Sequence, residues 1–290
     1  MISNTLLNSV LVIVASMVLL WILSLAKKNA SIVDIFWGLG FVIVGWASAI
    51  NADNVSGLGK VVLVMVTLWG VRLSLYLAIR NHGKPEDFRY VAMRKHYGAR
   101  FPVISLFTVF LLQGAIMMVV SLPVQIALSD AHASLSIVSY VGIALFVLGI
   151  FFETVGDWQL AQFKRNPQNA GQVMQTGLWK YTRHPNYFGD TCVWWGIGIV
   201  ALSASFGWIG LVGSLLMNFF LVRVWEFQCW SVQCRSDDLA TTNTSDAPAV
   251  SFHVRQRNSY TRGVRPRSFA HSPNCVSEAT VAPIDSGATG

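Results

Sequence analysis

Seven apolar stretches, each roughly 20 residues long, dominate this chain. They run near 5–26, 32–50, 60–80, 103–127, 135–157, 187–203 and 207–224. A helix crossing the hydrocarbon layer of a bilayer needs about 20 such residues. The pattern predicts an all-α, polytopic membrane bundle of about seven transmembrane helices. Charged residues make up 12% of the chain, about half of what a soluble domain carries. The first stretch is not preceded by a positive charge and is followed by Lys27 and Lys28, so it reads as a retained span rather than a cleaved leader.

The loops sort by charge. Lys27 and Lys28 follow the first span. Arg80, Lys84, Arg89, Arg94, Lys95 and Arg100 surround the loop after the third, and Lys164, Arg165, Lys180 and Arg183 lie between the fifth and sixth. The intervening loops carry almost no cations. Alternation of this kind places the basic loops in the cytoplasm, the N-terminus outside and the C-terminus inside. The net charge of +7 therefore reads as membrane orientation and not as a nucleic-acid footprint. Cys192, Cys229, Cys234 and Cys275 show no metal or disulfide-framework spacing, and no Gly-rich phosphate loop is present.

Two regions emerge: a membrane domain, 1–224, and a polar tail, 225–290, rich in Ser, Thr, Pro and Arg. The tail reads either as a disordered cytoplasmic segment or as a stretch translated out of frame. When the third base of each codon is grouped with the next two, the bases from Trp225–Glu226 permit G-V-S-V-L-E. Those across Ser236–Ala247 permit R-R-P-G-Y-x-x-Y-x-R-R, and those across Ala247–His253 permit T-S-G-F-I-P. The Gly and the Leu of the first string are forced by the code. A single-base frameshift near Val224 explains all three strings.

Polar chemistry concentrates in 153–190, which holds Glu153, Asp157, Lys164, Arg165 and the run GLWKYTRHPNYFGD. Asp157 and Lys164 are seven apart and share a face if the fifth span continues as helix. Asn186, Asp190 and Trp194 form one stripe at four-residue spacing. Such a stripe suits a ligand with hydroxyls and a flat ring, and Lys164, Arg165 and Arg183 suit its phosphates. The competing reading is a solvated positive loop with an interfacial aromatic belt. His184 is an acid–base candidate or a turn residue beside a proline. The mixed-charge run 80–90 reads as a solvated loop or a second polar cluster. Asp34 and Arg72 lie within or near apolar spans and need partners, and they are expected to pair with each other. Tyr76 is a candidate proton donor or an interfacial anchor. Trp37, Trp69, Trp194 and Trp195 read as helix packing.

V-D-I-F-W-G (33–38), W-G-V-R-L (69–73), E-D-F-R-Y (86–90) and R-H-P-N-Y-F-G-D (183–190) with W-W-G resemble the DUF1295 family of bacterial membrane proteins, within the steroid 5-alpha-reductase-like superfamily. The resemblance implies a seven-helix fold, a bacterial inner membrane location and a cytoplasmic-side NADPH pocket. It implies Asp157, Lys164, Arg165, Tyr181, Arg183, Asn186, Tyr187, Asp190 and Trp194 as cofactor-binding residues. Asp34 and Tyr76 are the nearest match to the reductase catalytic pair. The implied activity is reduction of an activated double bond in a lipophilic substrate. Membrane methyltransferases share a similar R-H-P-x-Y loop and use S-adenosylmethionine instead, and a non-catalytic membrane protein is the third expectation. The sequence does not specify the oligomeric state.

Overall fold

In a computed structural model, residues 2–169 and 171–223 are described; the 225–290 tail lies outside them. The described residues are helical, without strands. Helix α1 spans Ile2–Lys27, α2 Ile32–Ile50, α3 Gly57–Asn81 and α4 Phe88–Tyr97. There follow α5 (Phe101–Ser105), a π-helical stretch (Leu106–Leu111), α6 (Leu112–Val120) and α7 (Leu122–Ser129). The bundle continues with α8 (Ile137–Arg165) and α9 (Pro185–Ala201), and with α10 (Gly207–Arg223). Among the described residues, five helical stretches are long and apolar enough to span a bilayer, the fourth running through α4 to α6. The helices α9 and α10 occupy the sixth and seventh expected positions but are shorter.

Local chemistry explains the boundaries. Ser56 caps α3 by accepting from the Gly59 N–H at 3.1 Å, and Ser136 and Ser139 cap α8 reciprocally. Gly98, at φ +52°, ends α4. The expected fourth span, 103–127, is interrupted at Ser121, where Pro123 opens α7. The fifth continues as helix to Arg165, past the expected end at 157.

Two tight seams hold the bundle. On α8, Gly142, Gly149 and Gly156 recur every seventh residue and meet Gly196, Gly189 and Pro185 of the antiparallel α9. A Cβ at Gly149 would lie 2.6 Å from the Gly189 carbonyl oxygen, so only glycine permits this approach. Gly38 of α2 and Gly70 of α3 meet in the same way. Where α2, α3 and α9 converge, the rings of Phe41, Trp69 and Trp194 contact edge-to-face, with centroids 4.8–5.6 Å apart. All three are fully buried.

The ends of the bundle differ in charge. At one end the 28–31 and 82–87 connections are joined by the Ala30 N–H donating to Glu86 (2.6 Å) and the Asp87 N–H donating to Ser31 Oγ (2.7 Å). At the other end Ser205 N–H donates to Asp130 (2.8 Å), and Ser203 hydrogen-bonds Ser136 and Ser139. Connections 51–56, 130–136 and 202–206 at this end hold no Lys or Arg. The alternating charge of the sequence thus corresponds to two physical ends.

Candidate functional site

Helix α3 presents Trp69, Arg72 and Tyr76, α8 presents Glu153 and Asp157, and α9 presents Asn186 and Asp190. The Arg72 guanidinium joins the first two helices. It pairs with Glu153 and, at 2.9 Å, with Asp157. The expected partnership of Arg72 with Asp34 is not formed. Arg72 turns toward α8, while Asp34, in the first turn of α2, accepts from Tyr90 Oη (2.8 Å) and Arg89 (2.9 Å). Depth along two helices was readable, but the direction in which each side chain faces was not.

The Trp69 indole N–H donates to Glu153 and to Asp190, 3.1 Å from each. Asn186 donates to Asp157 at 3.4 Å. Arg72 Nε, Asn186 Oδ1 and Trp194 Nε1 are buried without a hydrogen-bond partner among the described residues. Buried groups of this kind ordinarily find a partner, so the first two mark places where a ligand or water completes the cluster.

A cavity of about 600 Å³ opens beside the cluster, between α3 and α8. Arg72, Tyr76, Arg80, Lys84, Asp157, Lys164 and Arg165 line its polar part. Leu75, Ile79 and Trp158 line its apolar part and are themselves exposed on the outer surface of the helices. Asp157 and Lys164 share this wall, as their spacing implied. A second cavity of about 600 Å³ lies between α9 and α10, lined by Thr182, Arg183, His184, Tyr187, Phe188, Thr191, Leu221 and Val222. The rings of His184 and Tyr187 stack there at 5.1 Å. Burial, reinforced by the Arg183 charge, lowers the His184 pKa, which keeps the ring neutral at pH 7.

The expected cofactor residues are therefore divided. Asp157, Lys164 and Arg165 line the first cavity, and Arg183 and Tyr187 the second. Asn186 is tied to the first through Asp157, and Asp190 joins the cluster below it. Trp194 is buried in the aromatic core and lines neither cavity. Tyr181 is 83% exposed and also lines neither; the tryptophan of that loop, Trp179, instead donates to the Gly156 carbonyl (3.0 Å). Tyr76 lines the first cavity and Asp34 does not, so the two expected catalytic residues are not brought together there. Glu153 was legible as polar but not as the residue that shares Arg72 and Trp69. The 80–90 run is more than a solvated loop. Through Glu86, Asp87, Arg89 and Tyr90 it clasps the start of α2.

Comparison with known proteins decides the family. The profile described as "Protein of unknown function (DUF1295)" matches residues 20–231. The chain belongs to the DUF1295 family. It is 25% identical over 232 residues to an uncharacterized protein of Schizosaccharomyces pombe, covering 67% of this chain and 66% of that protein. It is 30% identical over 107 residues to the probable O-methyltransferase ustE of Ustilaginoidea virens, covering 37% of this chain and 34% of that protein. The chain thus spans less than two thirds of either relative. Both are fungal, so they do not carry the expected bacterial location. No solved structure matches.

Proposed function

We propose that this DUF1295 protein is a membrane-embedded, NADPH-dependent reductase of an activated carbon–carbon double bond in a lipophilic, steroid-, isoprenoid- or fatty-acid-like substrate. The observation that carries the reading is the cation set of the α3–α8 cavity. Arg80, Lys84, Lys164 and Arg165 surround a volume of about 600 Å³, within the range of cofactor sites. NADPH bears a diphosphate and a 2′-phosphate, and four cations at one cavity fit that charge. The free acceptor of Asn186 and the free Nε–H of Arg72 fit the hydroxyl and amide groups of such a ligand. The second cavity, with Arg183 and Tyr187, is lined by the start of α9 and by α10 and is not required for the phosphates.

When bound, the nicotinamide supplies a hydride for the β-carbon of an enone-type acceptor. Tyr76, on the cavity wall beside Arg80, donates the proton that completes reduction at the α-carbon. The exposed apolar side chains Leu75, Ile79 and Trp158 let a lipid-soluble substrate enter sideways from the bilayer. The protein lies in a bacterial inner membrane with its basic end in the cytoplasm, where NADPH is available.

One observation favours a second reading. The similarity to a probable O-methyltransferase is consistent with S-adenosylmethionine as the cofactor, a molecule without phosphate. The readings separate in one assay on the detergent-solubilised protein with a panel of enone lipids. Reductase chemistry gives NADPH consumption and a product carrying deuterium from 4-deuterated NADPH. Methyl transfer gives a product labelled from methyl-labelled S-adenosylmethionine and no NADPH consumption, which would overturn the first reading.

A further inference from the structure

Above the floor of the α3–α8 cavity stand Arg80 at the end of α3, Lys84 in the connection that follows, and Lys164 and Arg165 at the end of α8. Among the described residues none of these four cations forms an ion pair, whereas Arg72, Arg89 and Arg94 each do. Glu86 and Asp87, the acids nearest Lys84 in the chain, are taken by Arg94 and Arg89. Like charges gathered round one cavity repel each other, and a bound polyanion relieves that repulsion.

The cations are not all at one depth. Helices α3 and α8 both run toward the basic end of the bundle, and the Arg72–Asp157 pair (2.9 Å) ties them at the floor. Arg80 and Arg165 each lie eight residues past that pair, about 12 Å along a helix axis, with Lys164 just below. Between floor and mouth the walls are Leu75, Tyr76, Ile79, Trp158 and Ala161, without a cation. Lys84 belongs to the connection beyond the end of α3, where the chain turns at Gly83 (φ +70°). The Ala30–Glu86 and Asp87–Ser31 hydrogen bonds pin that connection to the start of α2, so Lys84 is held at the outer rim.

NADPH carries its groups in a fixed order: nicotinamide, diphosphate, then the adenosine 2′-phosphate. The reductase reading puts the ring beside Tyr76. The cation-free middle walls then hold no phosphate, the diphosphate meets the first cations reached, and the 2′-phosphate meets the outermost. We propose that Lys84 reads the 2′-phosphate and so sets a preference for NADPH over NADH, while Arg80, Lys164 and Arg165 hold the diphosphate common to both. The inference rests on the reductase reading and adds to it the residue that discriminates between the two nucleotides.

Parallel titrations with NADPH and NADH, followed by nucleotide fluorescence, test it on the detergent-solubilised full chain and on the chain with its alternate frame restored after residue 224. Wild type is expected to bind NADPH more tightly than NADH by about tenfold or more, the worth of one charge-assisted hydrogen bond. Lys84→Gln should remove most of that ratio by weakening NADPH alone. Lys164→Gln should weaken both nucleotides and keep the ratio. Lys84 is exposed, so its substitution should leave the helical circular dichroism and the melt unchanged. Nucleotide binding in which Lys84→Gln keeps the wild-type ratio, or weakens NADH as much as NADPH, overturns the inference and leaves the reductase reading standing. Folded chains that bind neither nucleotide overturn both.

Discussion

Replacing Arg72 with Met removes the cation shared by two carboxylates while keeping the length of the side chain. The Glu153 and Asp157 side chains are 2% and 7% exposed, and Arg72 is 19% exposed. Breaking a buried ion pair by deleting one partner costs about 3–5 kcal/mol, because the other charge stays buried alone. The partial exposure of Arg72 places this case near the lower figure, about 3 kcal/mol. For a domain of this size each kcal/mol lowers Tm by about 2–4 °C, so the expected fall is about 6–12 °C. Tryptophan fluorescence during heating reports it directly, since Trp69 and Trp194 sit at the junction. Adding Glu153→Gln to Arg72→Met is expected to recover a third or more of the loss, roughly 1 kcal/mol, because one orphaned charge is gone. An Arg72→Met melt within about 2 °C of wild type, well inside the expected fall, would refute the reasoning that the guanidinium neutralises these carboxylates. So would a double variant less stable than the single one.

Three further outcomes are expected. Gly149→Ala puts a methyl 2.6 Å from the Gly189 carbonyl and should cost about 2–3 kcal/mol by forcing α8 from α9; Gly57→Ala, which meets nothing within 4 Å, should be neutral or stabilising in the same melt. The Asp130 pKa is lowered by the Ser205 N–H bond, so its contribution is complete above the ordinary carboxylate value and lost as pH falls through the lowered one. Asp130→Ala should therefore lower Tm at pH 7, and the difference should close on acidification. Lys164→Ala and Arg165→Ala should each weaken NADPH binding by about tenfold, with a smaller salt dependence, if they meet phosphates.

Much of this architecture was legible because hydrophobic length and loop charge are local properties. The helical stretches, the two charged ends and the shared face of Asp157 and Lys164 all follow from spacing of a few residues. What stayed hidden are contacts between distant parts of the chain. Arg72 and Glu153 are 81 positions apart, and nothing local says that Arg72 faces α8 while Asp34 faces α4. The Gly142, Gly149 and Gly156 repeat was the signal that α8 carries a close-packed face. Glu153 is four residues before Asp157, a spacing that puts both on one helical face and was the available signal that they share a cation. Tyr181 could not be separated from Trp179 by spacing, because turn geometry decides which of two aromatics two residues apart points inward.

The most direct test of the central claim is a fluorescence titration of NADPH into the detergent-solubilised protein, with S-adenosylmethionine as competitor. It is run on the full chain and on the chain with the alternate reading frame restored after residue 224. The account expects saturable NADPH binding by the frame-restored chain, unaffected by the competitor and lost in Asn186→Ala. A folded, frame-restored protein that binds no NADPH would contradict it and would place the methyltransferase reading first.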